Sequence, residues 1–191
     1  MSRDMVAAIG AEFGRYRGLA EGAAAQLTLV QLRERLHPEV NSIAVVMKHV
    51  AGNLRSRWTE PFTTDGEKAW RDRDTEFVDT FGSREELEAW WAAGWGALEG
   101  VLQGVTDADL GRELRIRGEA HTLARALARS VAHTAYHCGQ IVQTARAVAG
   151  RDGAEWKTLT VARGGSAAHN RGMGFEAGAG PKGGDGRNGG V

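Results

Sequence analysis

Apolar residues recur every three or four positions along most of this sequence, and that period is the feature that most restricts its fold. In the stretch 122–149 the pattern continues without a proline and stops at Gly150, a typical helix terminator. Alternation of polar and β-branched residues, which marks strands, is nearly absent. The chain has only three prolines, Pro38, Pro61 and Pro181. We therefore predict an all-α fold.

Four segments have the length and period of long helices. They are residues 4 to about 35 with a break near Gly22, Asn41 to about Trp58, residues 84 to about 103, and residues 122–149. Four such helices in a chain of 191 residues predict a four-helix bundle. The long segment 59–80 between the second and third helices predicts a crossover connection rather than a tight turn.

The composition of the chain changes at about Arg163. Beyond this point Gly, Ala and charged residues dominate, and Phe175 is the single aromatic side chain. Such a segment does not bury enough apolar surface to offset the entropy of ordering it. We predict a helical-bundle domain over residues 1–162 and a Gly-rich disordered tail over residues 163–191.

Charge and cysteine content restrict the function and the compartment. The chain has 24 basic and 24 acidic side chains, a balance that disfavours nucleic-acid binding by bulk electrostatics. No apolar run approaches the ~20 residues of a membrane span, and residues 1–10 lack the apolar core of a signal peptide. One cysteine, Cys138, cannot form an internal disulfide and fits a reducing compartment. We expect a cytoplasmic protein with no membrane or nucleic-acid partner.

His133 and His137 lie four positions apart in the fourth predicted helix, so their side chains share one face. That separation lets both imidazoles reach one ion at ~2.0–2.1 Å. The surrounding residues are mostly apolar, and two neutral imidazoles buried without partners are costly. The pair is predicted to ligate a divalent metal. Spacing alone also fits two ordinary surface or core histidines.

His49 is the best candidate for a third ligand because it lies among valines in the middle of the second predicted helix. The remaining histidines are less suitable: His37 precedes a proline, His121 lies three turns from the pair, and His169 is in the tail. Three histidines leave at least one metal position open for water or substrate, as in catalytic sites. No Glu or Asp lies within the pair or one turn away on its face, so no general base is predicted.

Two amide side chains share a predicted helix face with a histidine. Asn53 lies one turn beyond His49 and either orients a metal-bound water or caps a carbonyl. Gln140 follows His137 by three positions and is a plausible hydrogen-bond partner for that imidazole.

Arginines near the segment 59–80 are candidates for binding an anionic substrate group bidentately, namely Arg57, Arg71 and Arg73. The same charges fit a salt-bridged loop pinned by aromatic residues, and both interpretations stay open. Arg125 and Arg129 precede His133 by two turns and one turn. They form either a solvated face or an anion-binding strip.

Several stretches of the sequence carry a resemblance to a known superfamily. They are residues 41–44, 48–54, 56–58, 63–68, 70–77, 116–119 and 133–141. Through them the chain resembles the DinB-like superfamily of helical-bundle metalloproteins, and within it a bacterial subfamily described as a domain of unknown function. The resemblance covers roughly residues 4–163. It implies a four-helix bundle, often a homodimer, in which His49, His133 and His137 bind nickel, zinc or iron.

Better-understood members of that superfamily are transferases and isomerases that depend on a low-molecular-weight thiol, bacillithiol or mycothiol. By this resemblance we expect a metal-dependent enzyme that acts on a small electrophilic substrate, as a thiol transferase or a hydrolase. The alternative is a non-catalytic protein: a dimeric bundle stabilised by its metal, or a binding module.

Overall fold

The computed structural model describes residues 2–175, and these are mostly helical. In chain order the helices are α1 (Asp4–Ala24), α2 (Leu29–Leu32), α3 (Ile43–Trp58), α4 (Arg84–Gly104), α5 (Leu123–Arg151) and α6 (Ser166–Gly172). The other elements are two 3-10 turns, Asp74–Phe77 and Asp107–Gly111, and two strands, β1 (Glu113–Ile116) and β2 (Glu119–Thr122). Within residues 2–175, no helix combines the length and the apolar character that crossing a membrane requires.

The first predicted helix, over residues 4–35, is wrong in extent because the chain turns after Ala24 and starts again at Thr28. The Thr28 hydroxyl accepts a hydrogen bond from the Gln31 N–H, and the Gln31 side chain accepts one from the Thr28 N–H. This capping box begins α2. The predicted break near Gly22 therefore lies two residues before the observed end of α1.

The other long helices begin close to their predicted starts, and each has a hydroxyl cap. The second predicted helix, α3, begins at Ile43 and not at Asn41, because the Ser42 hydroxyl caps it by accepting the Val45 N–H. The Ser83 hydroxyl caps α4, and the Thr122 hydroxyl caps α5.

Helix α3 packs against both α4 and α5, and α1 packs along α5. Helices α3 and α4 approach most closely where Gly94 faces Ala51. A Cβ atom on Gly94 would lie 2.5 Å from the Ala51 carbonyl oxygen and 2.6 Å from its Cα. Only glycine permits this approach, which holds the middle of α3 firmly against α4. His49 lies two residues before Ala51, so this packing also fixes its backbone.

A β-hairpin directly precedes α5. Strands β1 and β2 pair antiparallel around Arg117 and Gly118, whose φ angles are 56° and 75°. These positive values are typical of a type I′ turn. The Asp65 carboxylate accepts hydrogen bonds from both turn N–H groups, at 2.8 and 2.7 Å. The connection between α3 and α4 is thereby fixed to the hairpin.

The described residues form two compact units, residues 2–157 and residues 158–175. The second unit begins a few residues before the predicted tail, 163–191. In the described part of that tail, the seven residues of α6 are helical, and they include the favourable helix formers Ala167 and Ala168. From residue 176 onward the predicted tail lies outside the described residues.

Candidate metal centre

Helices α3 and α5 bring together the three histidines that the sequence predicted as ligands. His49 is 5% exposed in α3, and His133 and His137 are half-buried on α5. One ring nitrogen from each lies within 4.8 Å of the other two, and the Nε2 atoms of His49 and His133 are 3.2 Å apart. In a tetrahedral site with bonds of ~2.0–2.1 Å, ligand nitrogens are roughly 3.3 Å apart. The His49–His133 pair already has this separation, and the group of three could hold a metal ion.

A buried carboxylate fixes the orientation of the His49 ring. Glu76 Oε2 lies 2.8 Å from His49 Nδ1 and accepts a hydrogen bond from the Nδ1–H group, which leaves Nε2 with a free lone pair directed toward His133. The Arg71 guanidinium donates to both Glu76 oxygens, at 2.8 and 2.9 Å. Burial by itself raises the pKa of Glu76, but the hydrogen bonds from His49 and Arg71 hold that pKa below its ordinary value. Glu76 is thus an anion that orients the ring, as carboxylates behind metal-binding histidines do.

The protein places Glu76 by two contacts with α3. The Lys48 ammonium donates to the carbonyl oxygens of Thr75 and Val78, which precede and follow Glu76 in the chain. Gly52, one turn after Lys48, leaves room for the carboxylate, because a Cβ there would lie 2.3 Å from Glu76 Oε1. The residues on both sides of His49 therefore hold its partner in place.

The two histidines of α5 also have the protonation state that a metal ligand requires. His137 Nδ1 lies 2.8 Å from Gln140 Oε1, an arrangement in which Nδ1 donates and Nε2 stays free. Burial and the neighbouring imidazoles lower the pKa of His133 to about 3. Burial also lowers the pKa of His137. Near neutral pH both rings are uncharged, which is the form that binds a metal.

A cavity of about 110 Å³ lies beside His133. Its lining is Asn53, Arg57, Trp58, Leu114, Ile116, Ala126, Arg129, Ser130 and His133. The Trp58 ring N–H donates to Ser130 Oγ at 3.1 Å, which closes the wall between α3 and α5. The cavity is small beside the ~300–1,000 Å³ of drug-sized pockets, so it fits only a small molecule or one part of a larger one.

The predicted substrate-binding arginines occupy three different environments. Arg71 is 2% exposed at its side chain and is engaged by Glu76. Arg57 lines the cavity but donates to the Gly66 carbonyl and to Glu67. Arg73 is exposed, with its guanidinium carbon 5.9 Å from the Phe77 ring. Two of the three arginines, Arg57 and Arg71, are therefore engaged in ion pairs with carboxylates of the loop.

No sequence pattern predicts Glu76 as part of the site. A carboxylate would be expected on the helix of the histidine pair, whereas Glu76 lies in the connection between α3 and α4 and contacts the third histidine. Two features of the sequence are consistent with a role for Glu76. A glycine, Gly52, follows His49 by three positions, and the connection between α3 and α4 contains acidic residues. Neither spacing nor periodicity relates these positions.

Cys138 is a buried structural residue. Burial raises the pKa of its thiol to about 12, so it carries no thiolate near neutral pH. The exposed Tyr136 ring lies 5.1 Å from the His137 ring, centroid to centroid.

The sequence matches the family described as "Protein of unknown function (DUF1572)" over residues 1–165. The chain belongs to this family. The match includes all three histidines, Glu76 and the hairpin. No curated protein matches this DUF1572 chain.

A solved structure resembles the DUF1572 chain. It is described as the conserved protein of locus from Enterococcus faecalis, and it shares 19% sequence identity with this chain. The alignment covers 78% of this chain and 99% of that one, with a TM-score of 0.57. At this identity the similarity shows a common fold and carries no conclusion about chemistry.

Proposed function

We propose that this DUF1572 protein binds one divalent metal ion through His49, His133 and His137 and uses it to act on a small electrophilic substrate. The observation that carries the proposal is the convergence of three ring nitrogens within 4.8 Å, with Glu76 oriented behind one of them. A surface cluster of histidines has no need of a buried carboxylate–arginine pair. A histidine that binds a metal benefits from such a pair, because the carboxylate fixes the tautomer of the imidazole and raises its basicity.

The proposal includes the DinB-like fold, a four-helix bundle formed by α1, α3, α4 and α5. The packing of α3 against α4 and α5, and of α1 along α5, supports this arrangement. The long connection between α3 and α4 is the crossover, and it supplies Glu76 and Arg71 to the site.

A divalent ion bound here supplies Lewis acidity, which polarises a coordinated water, thiol or substrate oxygen. The protein's own part is to orient the three imidazoles and to keep His133 and His137 uncharged near neutral pH. The cavity next to His133 has room for a small molecule, and part of its wall is formed by the apolar side chains Leu114, Ile116 and Ala126. The half-buried positions of His133 and His137 leave one side of the site accessible.

We further propose zinc, nickel or iron as the metal, a low-molecular-weight thiol or water as the nucleophile, a cytoplasmic location and a homodimer. Imidazole nitrogen ligands suit all three metals, and the supply of each in the cell contributes to the choice. The reducing compartment agrees with a thiol cosubstrate.

Metal analysis of the purified protein tests the binding site. We expect about one divalent ion per chain in the wild type and almost none in His133→Ala, because two imidazoles hold an ion weakly. His37→Ala is the matched control, since His37 is exposed in a different part of the chain and should leave the metal content unchanged. A wild type without metal, or a His133→Ala protein that retains it, would contradict the proposal.

The second candidate function is a non-catalytic protein, in which the metal only stabilises the fold or the module only binds a partner. It is favoured by the absence, among residues 2–175, of a carboxylate placed beside the cavity to act as a base. Removing the metal with a chelator distinguishes the two. A structural metal predicts loss of the thermal unfolding transition, whereas a catalytic metal predicts a folded protein that no longer turns over thiol or hydrolytic substrates.

A further inference from the structure

Some of the polar side chains that line the cavity beside His133 already form hydrogen bonds within the protein, and others do not. Arg57 is committed to Gly66 and Glu67, and Ser130 accepts the Trp58 ring N–H. Within residues 2–175, the side chains of Asn53 and Arg129 make no hydrogen bond or ion pair. The cavity therefore has an amide and a guanidinium that are free to bind a ligand.

Arg129 also differs from the nearby arginines, because no carboxylate in the described part of the chain balances its charge. The cavity-lining Arg57 and the neighbouring Arg71 are balanced by the carboxylates of Glu67 and Glu76. Arg129 lies on α5 one turn before His133 and has no such partner among the described residues. A ligand entering this cavity thus meets one uncompensated positive charge on the same helix face as the metal ligand.

We propose that this cavity is a subsite for a small substrate that bears a carboxylate, which binds the Arg129 guanidinium and the Asn53 amide. The inference rests on the proposed function, since the reacting end of the substrate has to reach the metal beside His133. A guanidinium presents two parallel N–H donors that match a carboxylate, and the amide N–H₂ of asparagine donates to the same group.

The volume of the cavity and the apolar residues in its wall restrict the rest of the substrate molecule. A volume of about 110 Å³ holds on the order of a few water molecules. The apolar part of the wall is formed by Trp58, Leu114, Ile116 and Ala126. These features fit a short hydrocarbon chain between the carboxylate and the metal-directed end, and they disfavour a bulky anion.

Two small thiols test the proposal with the cobalt-loaded protein. Mercaptoacetate and 2-mercaptoethanol both offer a thiol to the metal, but only the first has a carboxylate. Binding of each is followed by the visible absorption of Co(II) and by calorimetry. We expect the preference for mercaptoacetate, the ratio of the two Kd values, to fall roughly tenfold in Arg129→Gln, because a charge-assisted hydrogen bond is lost. Arg129→Lys, which keeps the charge without the planar fork, should lose less of the preference.

Arg125→Gln is the matched control, because Arg125 lies one turn before Arg129 on α5 and pairs with Glu119 outside the cavity. It should keep the wild-type preference. An unchanged preference in Arg129→Gln, with the Co(II) spectrum intact, overturns the subsite and leaves the metal site standing. A wild type that binds no Co(II) overturns the proposed function itself, so the two failures are distinguishable.

Discussion

Glu76→Gln is expected to lower both the stability of the protein and its affinity for metal. The substitution leaves the Arg71 guanidinium, 2% exposed, without its close anionic partner. Breaking a buried ion pair in this way costs about 3–5 kcal/mol of unfolding free energy. Loss of the carboxylate behind a metal-binding histidine weakens metal affinity about 10–100-fold. Urea denaturation and competition titration with a zinc chelator measure the two effects.

A double substitution separates these two roles of Glu76. In Arg71→Met/Glu76→Gln the buried charge is removed together with its partner, so much of the lost stability should return. The metal affinity should stay low, because His49 still lacks an anionic partner. Asp74→Asn, in the same 3-10 turn but exposed, is the control and should change stability by less than about 0.5 kcal/mol. Wild-type metal affinity in Glu76→Gln would show that the carboxylate serves the fold alone.

Gly94→Ala is expected to destabilise the protein by about 3 kcal/mol, the upper part of the range for overpacking. The new methyl group would lie 2.5 Å from the Ala51 carbonyl oxygen, and a backbone atom cannot move aside as a flexible side chain does. Helices α3 and α4 have to separate, and His49 moves with α3. We therefore expect lower metal affinity as well as a lower urea midpoint.

Gly96→Ala in the same helix is the matched comparison. A Cβ atom at Gly96 meets nothing within 4 Å, and alanine is the better helix former by about 1 kcal/mol. The two substitutions should therefore change stability in opposite directions. A Gly94→Ala protein as stable as Gly96→Ala would show that the close contact of α3 and α4 is not required.

The long helices and the three histidines were predictable because each depends on local pattern. The period of three and four identifies α4 and α5, and a hydroxyl before an apolar run identifies their starts at Ser83 and Thr122. His133 and His137 share a face by helix geometry alone. Choosing His49 required only that a histidine among buried valines faces the interior.

The connection between α3 and α4 was not predictable in the same way, because its structure depends on contacts between distant residues. Asp65 binds the hairpin turn at Arg117 and Gly118, more than fifty positions away. Glu76 reaches His49 only because Lys48 holds its backbone and Gly52 leaves space. No periodic pattern encodes such pairs. The start of α2 after the end of α1 depends instead on a local signal, the capping box of Thr28 and Gln31.

X-ray absorption spectroscopy of the zinc-loaded protein tests whether the three histidines bind the metal together. We expect three imidazole nitrogens at ~2.0–2.1 Å and at least one further light-atom ligand, the position open to water or substrate. Scattering from sulfur at ~2.3 Å, which would require Cys138, or a shell with fewer than three imidazoles would contradict it.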